Sequence, residues 1–339
     1  ILHIDLQRFL FKKNNYLNFC TYFDSKFITF GFTLLESLQK YYNGNIIYVL
    51  CLDHNSLSLT KKFFPNVLTI SLEEIENTYK ELLTIKTQRP ENEYIWTLTP
   101  HLIEYLIRYK NVDFVTYLDS DQVFFDTPRT IIHEVQNYSI SILPHRFKKS
   151  LKHLEVYGFY NVSWVTMKND SNAINALKWW RIKCIENCTV DLDQGIVGDQ
   201  KYLDLFKSRF QSVHDINHDG CGVAPWNFDI NKKIILYHFQ SLRLINRFMF
   251  TYNHSEYNFK LSHRIFVDVY APFIKIVLGK YSQIKNYQNQ SNSSKLRFRI
   301  HKQLFYTNDF IFIYKRIFFI FNFRIIYKLF TILNKLLRH

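Results

Sequence analysis

Over about its first 120 residues the chain keeps switching between two patterns, short apolar runs rich in β-branched and aromatic residues and segments whose apolar residues recur three and four apart. "LNFCTYF" (17–23) reads as a buried strand. Asp24 and Ser25 can then cap a helix in which Phe27, Phe30, Leu34, Leu38 and Tyr41 share a face. "NGNIIYVLCLD" (43–53) is a turn and a second strand, "SLTKKFF" a short helix, and "NVLTIS" a third strand. In "TPHLIEYLIRYK", Thr99 is the expected N-cap, Pro100 the first helical residue and Asn111 the stop. "VDFVTYLD" is a fourth strand. Strands alternating with helices build parallel β-α units, so the expected fold class is α/β, a Rossmann-like doubly wound, mostly parallel sheet. Ligands in such sheets bind beyond the carboxyl ends of the strands.

Asp119-Ser120-Asp121 falls at such an end. Two carboxylates at i and i+2 can offer hard oxygen ligands to Mg2+ or Mn2+, although a D-x-D triplet by itself also fits a plain acidic turn. The second half is less regular. "YSISILPHRF" and "YNVSWVTMKND" read as strands, "SNAINALKWWRIKCIENC" as a helix, "GDQKYLDLFKSRF" as a helix with Asp199 near its start, and "KKIILYHF" as a last strand ending at His238.

Hydrophobic residues make up 47% and aromatics 18% of the 339 residues, which argues against disorder. The five cysteines form no even framework, and packed thiols in a reducing cytosol are the expectation, Cys184 and Cys188 at i and i+4 included. Net charge is +14 and unevenly spread: residues 295–339 hold ten Lys/Arg against the single acid Asp309. Helical spacing from Arg316 gathers Arg316, Arg324, Lys328, Thr331, Asn334, Lys335 and Arg338 into a sector of about 120° opposite Phe, Ile and Leu. The expected organisation is a catalytic-type domain over 1–285, a polar linker over 286–295 and a basic, aromatic, amphipathic helical tail over 296–339. Such a tail suits an anionic membrane surface, and packing on the domain or a partner is its alternative. Its apolar face is too wide for a simple nucleic-acid strip.

The ordered set "CTYFDS", "YLDSD", "YNVSWVTMKND", "GDQKYLD", Trp226-Asn227 in "APWNF", and "YHFQSLR" resembles the GT-A glycosyltransferases. Within them it most resembles the retaining enzymes of glycosyltransferase family 8 and their bacterial relatives, over residues 17–245. The resemblance implies Asp119, Asp121 and His238 as ligands of Mn2+ (or Mg2+). It also implies donor contacts from Thr21, Tyr22, Asp24, Ser120, Asn161 and Arg243, and an Asp199-Gln200 pair beside the transferred sugar. Asp193-Gln194 is the alternative pair, and Arg243 stands where the family more often has a Lys in a "KPW" context. The implied partners are a nucleotide-diphosphate sugar, UDP-sugar favoured, and a glycan or lipid-linked acceptor. Together with the basic tail, the expected place of work is the cytosol, at the inner face of the cytoplasmic membrane.

Taken singly, each residue also has a structural reading: His238 as a core histidine, Asp199 at a helix start, Asn161 in a turn, Trp226 and Trp179-Trp180 in packing, His145 and Arg146 in a solvated turn. Two other functions stay open at this point. One is a GT-A-fold protein that binds a glycan or nucleotide without turnover, and the other is a membrane- or RNA-associated interaction protein.

Overall fold

The computed structural model describes residues 17–44, 46–229, 231–246, 249–252, 255–257, 259–290, 309–314 and 317–321. The chain divides into two compact units, one formed by 1–223 with 227–238 and the other by 224–226 with 239–339.

The first unit is built on a seven-stranded sheet. Its strands are β1 (Asn18–Phe23), β2 (Ile47–Cys51), β3 (Leu68–Ser71), β4 (Phe114–Leu118), β6 (Ile140–Pro144), β7 (Tyr160–Lys168) and β10 (Val213–Asp215), and their order is β10-β6-β7-β4-β1-β2-β3. β1 pairs in parallel with β2 and β4, and β2 with β3, while β7 runs antiparallel to both β4 and β6. The sheet is therefore α/β and mostly parallel, as the alternation of segments implied. All five residues of β2 are buried, the continuous apolar signature of a strand covered on both faces. β5 (Gln122–Phe124) leaves this sheet and pairs antiparallel with β11 (Leu236–His238). β8 (Val190–Asp191) and β9 (Ile196–Val197) form a small hairpin.

Local chemistry starts several helices, at Ser171 where the sequence places it and at His54, four residues ahead of the expected "SLTKKFF". Asp53 and Ser56 form a reciprocal capping box on the His54–Phe63 helix, and Asp170 caps Ser171–Glu186. Asp24 Oδ1 accepts from the backbone N–H groups of Lys26 and Phe27 just before the Ile28–Tyr41 helix. The helix expected to begin at Thr99 begins instead at Glu91, with Pro100 in its interior. An interior proline costs a helix about 3 kcal/mol. Here burial of Tyr94 and Leu98 ahead of it, beside Leu102 and Ile103 behind it, outweighs that cost. Asn111 adopts the left-handed conformation (φ 52°) just past the helix, the stop its sequence position suggests.

In the second unit, β12 (Arg243–Asn246), β13 (Met249–Tyr252), β14 (Asp309–Tyr314) and β15 (Ile317–Phe321) form an antiparallel sheet in chain order. A helix, Ala271–Gln290, follows a π-helical turn at Phe266–Tyr270, and Phe239 stacks on Phe273 with ring centroids 3.8 Å apart.

Two tail expectations are corrected. Residues 286–290 belong to this last helix, and 291–295 lie outside the described residues. Residues 317–321 of the expected amphipathic helix are a strand, because "DFIFIY" and "IFFIF" are β-branched and aromatic runs that pair with each other, the first also with β13. Residues 322–339 lie outside the described residues. Among the described residues no helix is long and apolar enough to cross a membrane.

Candidate functional site

β4 carries Phe114 to Leu118 through the centre of the sheet and releases the chain into Asp119-Ser120-Asp121 at its carboxyl end. The chain re-enters order at once as β5, whose Gln122 is the register partner of His238 on β11. That pairing sets the histidine beside the residue next to Gln122. His238 Nε2 lies 3.0 Å from Asp121 Oδ1 and 3.9 Å from Asp119 Oδ2. One ligand atom from each of the three residues falls within 4.8 Å of the others. His238 is further pinned by its backbone N–H, which donates to the Val223 carbonyl.

The electrostatics of the cluster suit a cation. Burial pushes the Asp119 carboxyl above the usual range and the Asp121 carboxylate adds to the push, while His238 and the Tyr117 hydroxyl pull it back. Among the described residues no lysine or arginine pairs with Asp119. Two carboxylates and an imidazole form a donor set of the kind that holds a divalent metal, with the oxygens favouring Mg2+ or Mn2+. The three residues expected from sequence are thus brought together, and they fit the ion.

A second buried carboxylate sits nearby. Asp199 is 3% exposed, and burial pushes its carboxyl up to about 7, opposed by a hydrogen bond to Thr99 and aided by the charge of Asp119. Its Oδ2 has no hydrogen-bond partner among the described residues. Tyr22 and Tyr117 stand by both carboxylates. Their rings meet at 5.3 Å, the Tyr22 hydroxyl is 3.2 Å from Thr99 Oγ1, and the Tyr117 hydroxyl donates to Asp119 Oδ1 at 2.9 Å. Burial, reinforced by the carboxylate charges, pushes both phenols well up, so they remain protonated donors. Sequence reasoning missed Tyr117. Its signal was its position two residues before Asp119, the same side of an extended chain.

The other expected residues divide. Thr21 is buried on β1 with a hydroxyl that has no hydrogen-bond partner among the described residues, and Ser120 is half-buried between the two aspartates. Asp24 is occupied with backbone groups at the start of the Ile28–Tyr41 helix. Asn161 and Gln200 both serve the irregularity of β7, whose register with β6 shifts between Ile142 and Leu143. Asn161 Oδ1 accepts from the Ser163 N–H, and Gln200 bridges the Val162 N–H to the Tyr157 carbonyl. The Gln200 amide is thereby committed to holding backbone. The rival pair Asp193-Gln194 lies exposed in the hairpin between β8 and β9.

Arg243 opens β12 in the second unit and donates to the Leu242 carbonyl. Trp226, buried against Tyr257, and Trp180, which donates to the Asp199 carbonyl, are packing residues as their structural readings had it. His145 is buried rather than solvated, with its imidazole pulled down to about 3, and Arg146 donates to the carbonyls of His218 and Cys221. All five cysteines are buried free thiols.

No protein-family model matches the chain. Two proteins of Bacillus subtilis (strain 168), both described as uncharacterized, are similar in sequence. YfnD is 29% identical over 230 residues, covering 62% of this chain and 73% of its own. YfnF is 26% identical over 251 residues, covering 67% of this chain and 82% of its own. Among solved structures, mouse xyloside xylosyltransferase 1 in its apo form superposes with a TM-score of 0.46 at 11% identity, over 66% of this chain and 97% of its own. The galactosyltransferase LgtC, in complex with donor and acceptor sugar analogs, does so with a TM-score of 0.46 at 12% identity, over 77% of this chain and 95% of its own.

Proposed function

We propose that this chain is a metal-dependent glycosyltransferase of the family 8 kind, transferring a sugar from a nucleotide-diphosphate donor, UDP-sugar favoured, to a glycan or lipid-linked acceptor. The observation that carries the reading is the convergence of Asp119, Asp121 and His238 at the carboxyl end of a central strand, where open α/β sheets bind their ligands. The ordered motifs that resemble the family supply the chemical class. Mn2+ or Mg2+ held by these three residues would supply positive charge for the diphosphate as it leaves.

The chain's own groups have the remaining work. Thr21, Tyr22 and Ser120 line the ends of β1 and β4 where the donor's base and ribose are to lie. Asp199 presents a buried carboxyl with one oxygen uncommitted among the described residues, suited to an oxocarbenium-like centre when ionised. Gln200 and Asn161 act by holding the start of β7 in place, which makes them positioning residues for Asp199 and the donor rather than groups that touch the reacting carbon. Retention of configuration follows from the family resemblance.

The test is thermal stabilisation by UDP, GDP and CMP, each with and without Mn2+, on wild type and Asp121→Ala. A ligand bound only by the native state raises apparent stability by mass action. The expected result is a Mn2+-dependent shift with UDP that the variant loses. A folded wild type that responds to none of the nucleotides overturns the reading.

The acceptor's place at the membrane is a further part of the proposal, supported by the excess of Lys and Arg over residues 295–339. Deleting 295–339 would remove β14, which pairs with β13, and β15, which pairs with β14, so the informative truncation removes 322–339 alone. Loss of sedimentation with anionic vesicles is expected, and unchanged sedimentation sinks this part.

A further inference from the structure

A carboxylate has two oxygens, and at Asp119 they face different neighbours. Oδ1 accepts from the Tyr117 hydroxyl at 2.9 Å, and Oδ2 is turned to His238 Nε2, 3.9 Å away. The arrangement follows from strand geometry. Residues 117 and 119 lie two apart on an extended chain, so the phenol and the carboxylate project to the same side.

The phenol is itself held firmly. Tyr117 is 1% exposed and sits in the interior of the sheet, in register with Cys20 on β1 and with Val165 on β7. Tyr22 follows Cys20 by two residues, which brings its ring diagonally onto that of Tyr117. Thr99, on the Glu91–Tyr109 helix, then holds the Tyr22 hydroxyl. Two strands and a helix thus decide where one hydroxyl points.

We propose that Tyr117 is a positioning residue whose hydroxyl ties Asp119 Oδ1 and so presents Oδ2 to the cation, with Tyr22 and Thr99 bracing its ring. This rests on the metal-site reading given above. Ligating carboxylates are commonly hydrogen-bonded by such partners, and losing one weakens metal affinity by about 10–100-fold. A hydroxyl that served only the packing of the sheet would register in unfolding and leave metal affinity where it was.

The experiment titrates Mn2+ alone into the full chain and reads the free aqueous ion by its paramagnetic resonance signal. It compares wild type, Tyr117→Phe, Tyr22→Phe, Asp119→Asn and the double variant Tyr117→Phe/Asp119→Asn. Phenylalanine keeps the buried ring, and circular dichroism checks the fold of each protein.

Tyr117→Phe is expected to bind Mn2+ about tenfold or more weakly than wild type, and Tyr22→Phe to stay within about threefold. In the Asp119→Asn background, Tyr117→Phe is expected to cost nothing further, since the oxygen it positions no longer ligates as a carboxylate. An unchanged affinity in Tyr117→Phe overturns the proposal and leaves the metal site standing. So does an equal loss in both backgrounds, which would show that the hydroxyl acts other than through Asp119. A folded Tyr22→Phe that binds as weakly as Tyr117→Phe removes the hydroxyl's special part. A wild type that binds no Mn2+ overturns this proposal and the metal site together.

Discussion

Glu104, fully buried, and Asp119, half-buried, are both acids of the sheet-bearing unit, and their surroundings differ in charge. Glu104, fully buried on the Glu91–Tyr109 helix, has Arg181 Nε at 2.9 Å and Arg108 at 3.4 Å. Arg181 also pairs with Glu81 at 2.5 Å and lies over the ring of Tyr79. Its positive charge is built into the chain. Asp119 has instead a second carboxylate, a histidine and a phenol. A carboxylate with its own guanidinium is architecture; a half-buried one set beside another acid and an imidazole is a place where a mobile cation could complete the charge balance.

The contrast can be broken most severely at the arginine. Arg181→Met leaves Glu104 buried with its main counter-charge gone, and breaking a buried pair in this way costs about 3–5 kcal/mol. Urea unfolding is expected to show that loss, while Mn2+ affinity of the folded fraction stays at the wild-type value. A variant as stable as wild type would mean that Arg181 is not what neutralises Glu104.

Asp199→Asn sharpens the comparison from the other side. Its folded-state carboxyl is raised from 3.8 to about 7, so the folded protein binds the proton more tightly than the unfolded chain does. The associated stability is fully present below about pH 4 and is lost as pH rises through 7. Removing the charge should flatten stability between about pH 4 and 7. At pH 8 it should leave the variant more stable by up to about 4 kcal/mol, since each tenfold difference in proton affinity is worth about 1.4 kcal/mol. A pH–stability curve that superposes on wild type would show that Asp199 carries no buried charge penalty.

Asp119→Asn tests the same logic with a smaller stability effect. Asparagine keeps an acceptor for Tyr117 and relieves the repulsion with Asp121. Without metal at pH 8 we expect a gain of up to about 3 kcal/mol, since the Asp119 carboxyl is raised from 3.8 to about 6, together with loss of the Mn2+-dependent nucleotide response. A loss of stability of the size expected for Arg181→Met would mean that Asp119 is structural after all.

Much of this was legible in the sequence because it is local. A strand covered on both faces reads as an unbroken apolar run, as "IYVLC" does, and alternation with helical spacing then demands parallel β-α units. Asp119 and Asp121 were visible because a single turn holds both. His238 was visible only through the order of motifs, since nothing near it in sequence distinguishes a ligand from a core histidine.

What tertiary structure alone decided is every relation between distant segments. The antiparallel pairing of β5 with β11 puts His238 next to Asp121, and neither three-residue strand announces that partner. Asn161 and Gln200 look like sugar contacts in a motif, yet the shifted register of β7 draws their amides onto backbone groups that would otherwise go unsatisfied. Burial of Tyr94 and Leu98 extends a helix through a proline that sequence reads as its start, and β13 draws part of a seemingly amphipathic tail into strands. Periodicity and caps act within a few residues and are written in the chain. Hydrogen-bond satisfaction, burial and charge balance are settled between segments, and they exist only once the chain has folded.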